Sequence, residues 1–105
     1  MSAPYNPPAK GEEFKIRIAL SDASDPKSFK SSPSLATGDF KVDKDGAGLT
    51  NLTTDAAVDP AGTVLVLVSL SATEMNADVV TIVGIDQTAT KEWADIVISI
   101  PTTAP

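Results

Sequence analysis

Apolar and polar residues alternate along much of the chain with the two-residue period of β-strands. The first alternating segment carries apolar side chains on one face and basic side chains on the other: Phe14, Ile16, Ile18 and Leu20 against Lys15 and Arg17. Five later segments show strand-like patterns: residues 39–43, 49–52, 63–70, 79–85 and 93–100. Because neighbouring side chains of a strand point to opposite faces, the pattern predicts six or seven strands and no long helix.

Turn-forming residues separate these segments. Residues 21–39 and 55–62 are rich in Ser, Asp, Pro and Gly, and we predict that they are loops. Phe29 and Leu35 are expected to be isolated apolar anchors in the first of them. An Asp-Gly pair at 45–46 lies between two strand segments and predicts a hairpin turn.

The alternation also stops at Ser71, between the two longest strand segments. Ser71 is a good helix cap and Glu74 follows three positions later, which predicts a single helical turn. We expect Met75 to fill the core at this corner. Asn76 or Asp78 is expected to bond the backbone of the turn, because short polar side chains satisfy unpaired backbone groups at such ends.

Short strands at this spacing in 105 residues predict an all-β fold: an immunoglobulin-like antiparallel β-sandwich of six to seven strands with one short helical turn. The Tyr, Cys and Trp hallmarks of antibody domains are absent from their usual places, so the likeness is architectural. We divide the chain into an extended Pro-rich N-terminal arm (1–13), a β-sandwich domain (14–101) and a short C-terminal tail (102–105). The predicted core comprises Phe14, Ile16, Ile18, Phe40, Val42, Val66, Val68, Leu70, Ile96 and Ile98.

The composition argues against several functional classes. The chain contains no Cys and no His, so it lacks disulfides, thiolate ligands and the commonest general base. It carries 14 acidic and 8 basic residues, with a formal net charge of −6, and nucleic-acid binding is therefore not expected. No apolar run approaches the roughly 20 residues of a membrane span, and no signal-peptide pattern is present. We predict no enzymatic activity, no cofactor, no membrane partner and synthesis in a cytoplasm.

Two pairs of carboxylates are candidates for a calcium site. Asp43 and Asp45 flank a predicted turn, and Asp22 and Asp25 share a loop. Neither pair has the spaced ligands and terminal Glu of an EF-hand loop, and Asp is a common residue of tight turns. We predict no metal site.

The N-terminal segment is the first candidate for partner binding. Its prolines, among them Pro7 and Pro8, forbid a helix and favour an extended conformation. Tyr5 supplies a ring and a hydroxyl group of the kind common at interfaces. A loose terminus is the alternative interpretation, but we predict that Tyr5, Asn6, Pro7 and Pro8 contact another chain.

Trp93 is the second candidate for partner binding. If the alternation of residues 93–100 is continued back to Trp93, its ring falls opposite to the isoleucines of that segment. Either the ring folds over a sheet edge and caps the core, or it is an exposed anchor for a partner subunit. A similar choice, between strands covered on both faces and an oligomer interface, applies to Leu65, Leu67, Val80 and Ile82.

Three segments carry a resemblance to a known group of proteins. They are the strand G-D-F-K-V at 38–42 with its D-G turn, the corner L-S-A-T-E-M-N-A-D at 70–78, and E-W at 92–93, which opens the last strand segment. Together they resemble small virion structural proteins of tailed bacteriophages and prophages, and the resemblance covers roughly residues 14–100, most of the chain. The resemblance implies an immunoglobulin-like sandwich and a structural role in the virion.

From this resemblance and the lack of catalytic residues we expect a non-catalytic bacteriophage virion structural protein. A capsid decoration or head-stabilising subunit is favoured. A tail, baseplate or fibre-associated subunit is the alternative, and a host-surface or glycan-binding module, which would need exposed aromatic side chains, is the second. The expected partners are other virion proteins, with the major capsid protein favoured. We expect homo-oligomeric or lattice-bound copies in the virion, assembled in the cytoplasm of the bacterial host.

Overall fold

Two antiparallel sheets make up the part of the protein that the computed structural model describes, residues 8–104. These residues form seven strands and no helix: β1 (Phe14–Ala19), β2 (Phe40–Lys44), β3 (Thr50–Asn51), β4 (Ala57–Val58), β5 (Leu65–Leu70), β6 (Val79–Gly84) and β7 (Ile96–Pro101). One sheet has the order β1-β5-β4 and the other β3-β2-β6-β7. The predicted all-β class is confirmed, and the arrangement is consistent with a β-sandwich.

The core lies between the two sheets as one apolar cluster. It combines side chains of β5 with side chains of β2, β6 and β7: Val66, Val68, Leu70, Phe40, Val42, Val80, Ile82 and Ile100. Of the ten predicted core residues, five are buried and the other five are partly buried against the cluster. The strand faces predicted from the alternation are therefore correct, since a shift by one residue would have turned these side chains to solvent.

The strands with two apolar faces divide their side chains between core and surface. On β6, Val80 and Ile82 are fully buried, whereas Val79 on the other face is 41% exposed. On β5, Leu67 is half-buried and Leu65 is 37% exposed. Val80 and Ile82 thus belong to the core, and the outward apolar side chains remain on the surface of the described residues.

The corner between β5 and β6 is a turn and not a helix. One hydrogen bond of α-helical spacing forms, from the Met75 N–H to the Ser71 carbonyl at 3.0 Å, and one of 3₁₀ spacing, from the Asn76 N–H to the Thr73 carbonyl at 3.2 Å. The Ser71 hydroxyl accepts the Glu74 N–H at 3.2 Å, and the Glu74 carboxylate accepts the Ser71 N–H at 2.9 Å, which is the reciprocal arrangement of a capping box. The expected single helical turn is therefore present as a capped, hydrogen-bonded turn that does not continue into a helix.

Met75 occupies the corner as predicted, with a fully buried side chain. The prediction that Asn76 or Asp78 holds the backbone is wrong, because other carboxylates do so. Asp45, from the β2–β3 turn, accepts the N–H groups of Asp78 at 3.2 Å and Val79 at 2.9 Å. A longer-range carboxylate therefore replaces the local contact that the sequence suggested.

The N-terminal and C-terminal segments lie side by side near this corner. The Thr103 N–H donates to the Pro8 carbonyl, and the Lys10 N–H donates to the Thr103 carbonyl, both at 2.9 Å. The Gly11 N–H donates to the Met75 carbonyl at 2.9 Å, and Gly11 has a φ of 79°, a left-handed conformation that suits glycine. The segment before β1 is thus held on the sandwich from Pro8 onward.

Candidate functional site

Two long loops meet at one end of the molecule. Residues 20–39 join β1 to β2, and residues 85–95 join β6 to β7. Phe40 at the start of β2 pairs with Gly84 at the end of β6, and Gly84 also pairs with Ile96 at the start of β7. Both loops therefore meet the four-stranded sheet at the same end of the molecule, which we call the loop end.

Trp93 lies where the two loops join. Its side chain is fully buried and stacks on Phe40 with ring centroids 5.4 Å apart. Its indole N–H donates to the carbonyl of Ser34 at 3.3 Å, so the polar group of the buried ring is satisfied. The interpretation of Trp93 as an exposed partner anchor is wrong, and the ring caps the core at this end.

Gly84 allows the Phe40 ring to lie flat beneath Trp93. A Cβ atom at position 84 would stand 2.7 Å from the Phe40 ring and 2.8 Å from the Ile96 side chain. Side chains in a packed interior cannot approach so closely without displacement. The glycine at the end of β6 is therefore a packing requirement of the loop end.

Carboxylates and backbone groups fasten one loop to the other. Asp39 accepts an N–H from each loop, Ala36 at 3.0 Å and Gln87 at 3.2 Å. Glu92 accepts the Ser34 N–H at 3.0 Å. These charge-assisted hydrogen bonds are stronger than neutral ones, so the two loops form one rigid unit.

Asp86 organises the second loop from a buried position. It accepts hydrogen bonds from the Glu92 N–H at 2.8 Å and from the Thr88 N–H and hydroxyl at 3.0 and 2.8 Å. Burial raises the pKa of Asp86, but the hydrogen bonds from Glu92 and Thr88 together lower it by more. The net pKa therefore lies below the ordinary value of 3.8. The carboxylate is ionised at neutral pH and acts as a fixed acceptor.

The tip of the first loop presents an exposed aromatic side chain. Residues 21 and 29 form an isolated antiparallel bridge, and the Asp22 N–H donates to the Ser28 carbonyl at 2.9 Å. Phe29 on this small hairpin is 60% exposed, and Lys27 and Lys30 lie on either side of it in the sequence. The expectation of Phe29 as an inward anchor is wrong, whereas Leu35 packs against the core as expected.

Asp43 and Asp45, one pair of calcium candidates, serve as acceptors for backbone groups at the opposite end. The Asp43 carboxylate accepts the N–H groups of Gly46 and Gly48, both at 2.8 Å. The N–H of Val79, followed by that of Asp78, holds the pKa of Asp45 below its ordinary value.

Asp22 and Asp25, the other pair, bond to nearby serines. The Ser24 hydroxyl, with the Ser24 N–H, lowers the pKa of Asp22, and Asp25 accepts the Ser28 hydroxyl at 3.3 Å. Residues 8–104 contain no group of three His, Cys, Asp or Glu side chains placed to hold a metal ion.

A shallow cleft of about 220 Å³ lies on the outer side of β1 and β5. Its lining is mixed and mostly polar: Glu13, Lys15, Thr54, Ser69, Leu70 and Ser71. Small-molecule sites are usually larger, about 300–1,000 Å³, and mostly apolar. The cleft therefore does not fit the usual form of a ligand pocket.

The predicted N-terminal partner site falls mainly outside the described residues. Tyr5, Asn6 and Pro7 lie outside residues 8–104. Pro8 is buried on its own chain, where its carbonyl accepts the Thr103 N–H. Its described contacts are thus intramolecular.

Comparison of the chain with protein-family models, curated proteins and solved structures gave no match. No helix of the described residues is long and apolar enough to cross a membrane.

Proposed function

We propose that the protein is a non-catalytic structural subunit of a tailed-bacteriophage particle that binds a neighbouring virion protein through the loop end. The observation that carries the proposal is the exposure of Phe29, whose side chain is 60% exposed. The loop that carries it is held in place by the buried side chains of Trp93 and Asp39. A rigid, exposed aromatic side chain is the kind of anchor that dominates protein interfaces.

The strand order supports an immunoglobulin-like assignment within this proposal. If β1 to β7 are matched to strands B, C, C′, D, E, F and G, the two sheets read B-E-D and C′-C-F-G. Immunoglobulin-type sandwiches place B, E and D in one sheet and C, F and G in the other. In such domains the loops at one end commonly bind partners, and the loop end of this protein contains the B–C and F–G loops.

The use of the buried carboxylates favours a structural role over catalysis. Asp39, Glu74 and Asp86 are the buried charged residues of the described chain. Each accepts backbone N–H groups, which leaves these carboxylates engaged in holding loops and turns. An acid or base for catalysis needs access to a substrate proton, and these side chains are committed elsewhere.

Among virion positions, we favour decoration of the capsid, with the major capsid protein as the partner. Lys27 and Lys30 lie close to Phe29 on the tip of the first loop, and Asp22 and Asp25 on the same hairpin balance their charge. Such a tip, with an exposed ring between charges of both signs, suits a partly apolar groove on a partner, where charged groups at the rim set the orientation. A compact single sandwich is also suited to repeated attachment on a lattice.

The copy number in purified particles tests this assignment. Particles from the organism that encodes the chain are purified, and the protein is quantified against the major capsid protein. Hundreds of copies per particle support capsid decoration. Tens of copies indicate a tail, baseplate or fibre position instead, and absence from the particle overturns the virion role.

Binding through the loop end is tested separately with Phe29→Ala. Leu49→Ala is the matched control, because Leu49 is 49% exposed at the opposite end of the molecule. Each variant is added to particles that lack the protein, and occupancy is measured against concentration. We expect Phe29→Ala to weaken binding about tenfold or more and Leu49→Ala to bind normally; equal binding by both would contradict the proposed surface.

A further inference from the structure

Among the described residues, β7 is an edge strand of the four-stranded sheet. Within the described residues it pairs with β6 on one side, and no strand lies on its other side. The Thr102 N–H donates to the Asp78 carbonyl at 2.9 Å, which fixes the alternation of the β6–β7 ladder. Because hydrogen-bonded and non-hydrogen-bonded pairs alternate, the backbone N–H and C=O groups of Val97 and Ser99 point away from β6.

The side chains of this edge carry no charge. The sequence of β7 is I-V-I-S-I-P, and Val97 is 65% exposed. Ile96 and Ile98 face the core but are only partly buried, because the sandwich is open beside them. An uncharged, apolar edge strand is a template for pairing with another strand.

The other sheet edges are protected in ways that β7 is not. Strands β3 and β4 are two residues long, and short edges offer little backbone to pair. Strand β1 carries Lys15 and Arg17 on its outward face, and charged side chains discourage pairing with a second copy. β7 is therefore the one long uncharged edge of the described sheets.

The described part of the N-terminal segment, from Pro8 onward, meets the C-terminal segment beyond the end of β7. It pairs in parallel at Ala9 with Thr103, two residues beyond the end of β7. The next rung of that ladder would need the N–H groups of Pro8 and Pro101, and proline has none. The hydrogen bonds of that rung therefore cannot form.

We propose that β7 pairs antiparallel with β7 of a second copy of this chain, around a two-fold axis at Ile98. In this register Val97 of each copy exchanges both backbone hydrogen bonds with Ser99 of the second copy, and the two Ile98 side chains meet. The two four-stranded sheets then continue as one sheet, and Ile96 and Ile98 lose contact with water.

Charge favours this pairing over other contacts between copies. Two chains of net charge −6 repel each other over most orientations, whereas the β7 edges are neutral. The register sets Asp95 opposite Pro101 of the second copy and not opposite another carboxylate. Asp95 is already paired with Lys91 at 2.7 Å.

The size of the contact sets its strength. One strand pair gives an interface at or below the about 1,200 Å² of the smallest stable complexes, so we expect a dimer with a dissociation constant in the micromolar range. The inference does not depend on the proposed virion role, since it rests on the edge of β7 and not on the loop end.

Substitutions at the outward groups of β7 test the dimer by sedimentation velocity over a concentration series that extends to the millimolar range. Ser99→Pro removes an N–H that faces the second copy and leaves the β6 ladder intact, and Val97→Lys places a charge at the contact. Val79→Lys is the control, because Val79 is exposed on the same sheet but on a strand flanked by β2 and β7. We expect wild type and Val79→Lys to dimerise, and Ser99→Pro and Val97→Lys to weaken dimerisation about tenfold or more.

The register is tested with cysteines, which the natural chain lacks. The double variant Val97→Cys with Ser99→Cys places two cysteine pairs across the interface within disulfide reach, so oxidation should give a covalent dimer. Each single variant places its two cysteines diagonally and should cross-link far less. A wild-type monomer at every concentration, undiminished dimerisation of Val97→Lys in a folded protein, or cross-linking of the single variants as efficient as that of the double variant would each overturn the proposal.

Discussion

A buried tryptophan has to fill space and satisfy its indole N–H, and Trp93 does both between two loops. The ring stacks on Phe40 while the N–H bonds the Ser34 carbonyl in the other loop. Its contribution is therefore to loop geometry as well as to core volume. At the scale of single residues, the loop end depends on such side chains that touch both loops at once.

Trp93→Ala should destabilise the protein by about 3–5 kcal/mol, because it leaves a large cavity and an unpaired Ser34 carbonyl. Trp93→Phe should cost less, since it keeps the stack on Phe40. The free energy of unfolding is measured by urea denaturation followed by circular dichroism. Phe29→Ala, at an exposed ring, is the control and should stay within about 0.5 kcal/mol of wild type; a similar small effect for Trp93→Ala would contradict the buried placement.

Asp86 should make stability depend on pH in the acid range. Its folded-state pKa lies below the ordinary value of 3.8, so the ionised carboxylate stabilises the fold above the unfolded pKa, and this contribution is lost as the pH falls through the folded pKa. Asp86→Asn should therefore be less stable than wild type by a constant amount above about pH 5, and the difference should shrink at lower pH. Unfolding at several pH values measures it, with Asp25→Asn as an exposed control; a difference that grows on acidification would refute this role.

At the scale of elements, the sequence predicts the strands with regular alternation and misses a short strand inside a predicted loop. The segments that became β1, β5 and β6 were predicted within two residues at each end, because a buried face requires strict alternation. Strand β4 was not predicted, since Ala57 and Val58 are two residues in a loop with Pro60 and Gly62. Hydrogen bonding to β5, and not a local pattern, makes it a strand.

The candidate site shows the same limit of local patterns. The sequence pattern places Trp93 in the same alternation as residues 94–100, but β7 begins at Ile96 and Trp93 lies in an isolated bridge with Asp22. Residues 94 and 95 are not part of a strand, so the alternation of side chains does not extend to Trp93 and the predicted side of its ring is wrong. The exposure of Phe29 depends on the hairpin of its loop, for which the sequence offers no periodic signal.

The corner between β5 and β6 depends on Glu74, which accepts the Ser71 N–H and the Thr53 N–H, both at 2.9 Å. Glu74→Ala leaves both donors without their acceptor and should cost about 2–4 kcal/mol. The loss of stability in Glu74→Gln should lie between zero and that of Glu74→Ala, because the glutamine amide can accept one of these N–H groups but turns a donor towards the other. Urea unfolding gives the values, and Glu12→Ala, at an exposed carboxylate, should be neutral; equal stability of Glu74→Ala and Glu12→Ala would show that the capping box contributes nothing.

At the scale of the whole molecule, the two ends of the sandwich have different tasks. The loop end is rigid and carries Phe29, which suits the binding of a partner. The opposite end closes the core. Met75 is buried there, and the N-terminal and C-terminal segments are hydrogen-bonded to each other. A subunit that binds with one end and along the edge of β7 could keep both contacts at once, since the loop end and this strand edge are different surfaces.

The closed end makes Thr102 and Thr103 part of the fold. Thr102 donates its N–H to the Asp78 carbonyl at 2.9 Å and its hydroxyl to the Ala77 carbonyl at 2.6 Å, and Thr103 exchanges backbone hydrogen bonds with Pro8 and Lys10. Deletion of residues 102–105 removes these bonds and uncovers the corner, so the free energy of unfolding should fall by about 2–4 kcal/mol. Deletion of residues 104–105 removes none of them and should change it by about 0.5 kcal/mol or less. Urea denaturation of the two truncated proteins beside wild type measures the difference, and coincident unfolding curves for the two deletions would mean that the C-terminal segment does not hold this end closed.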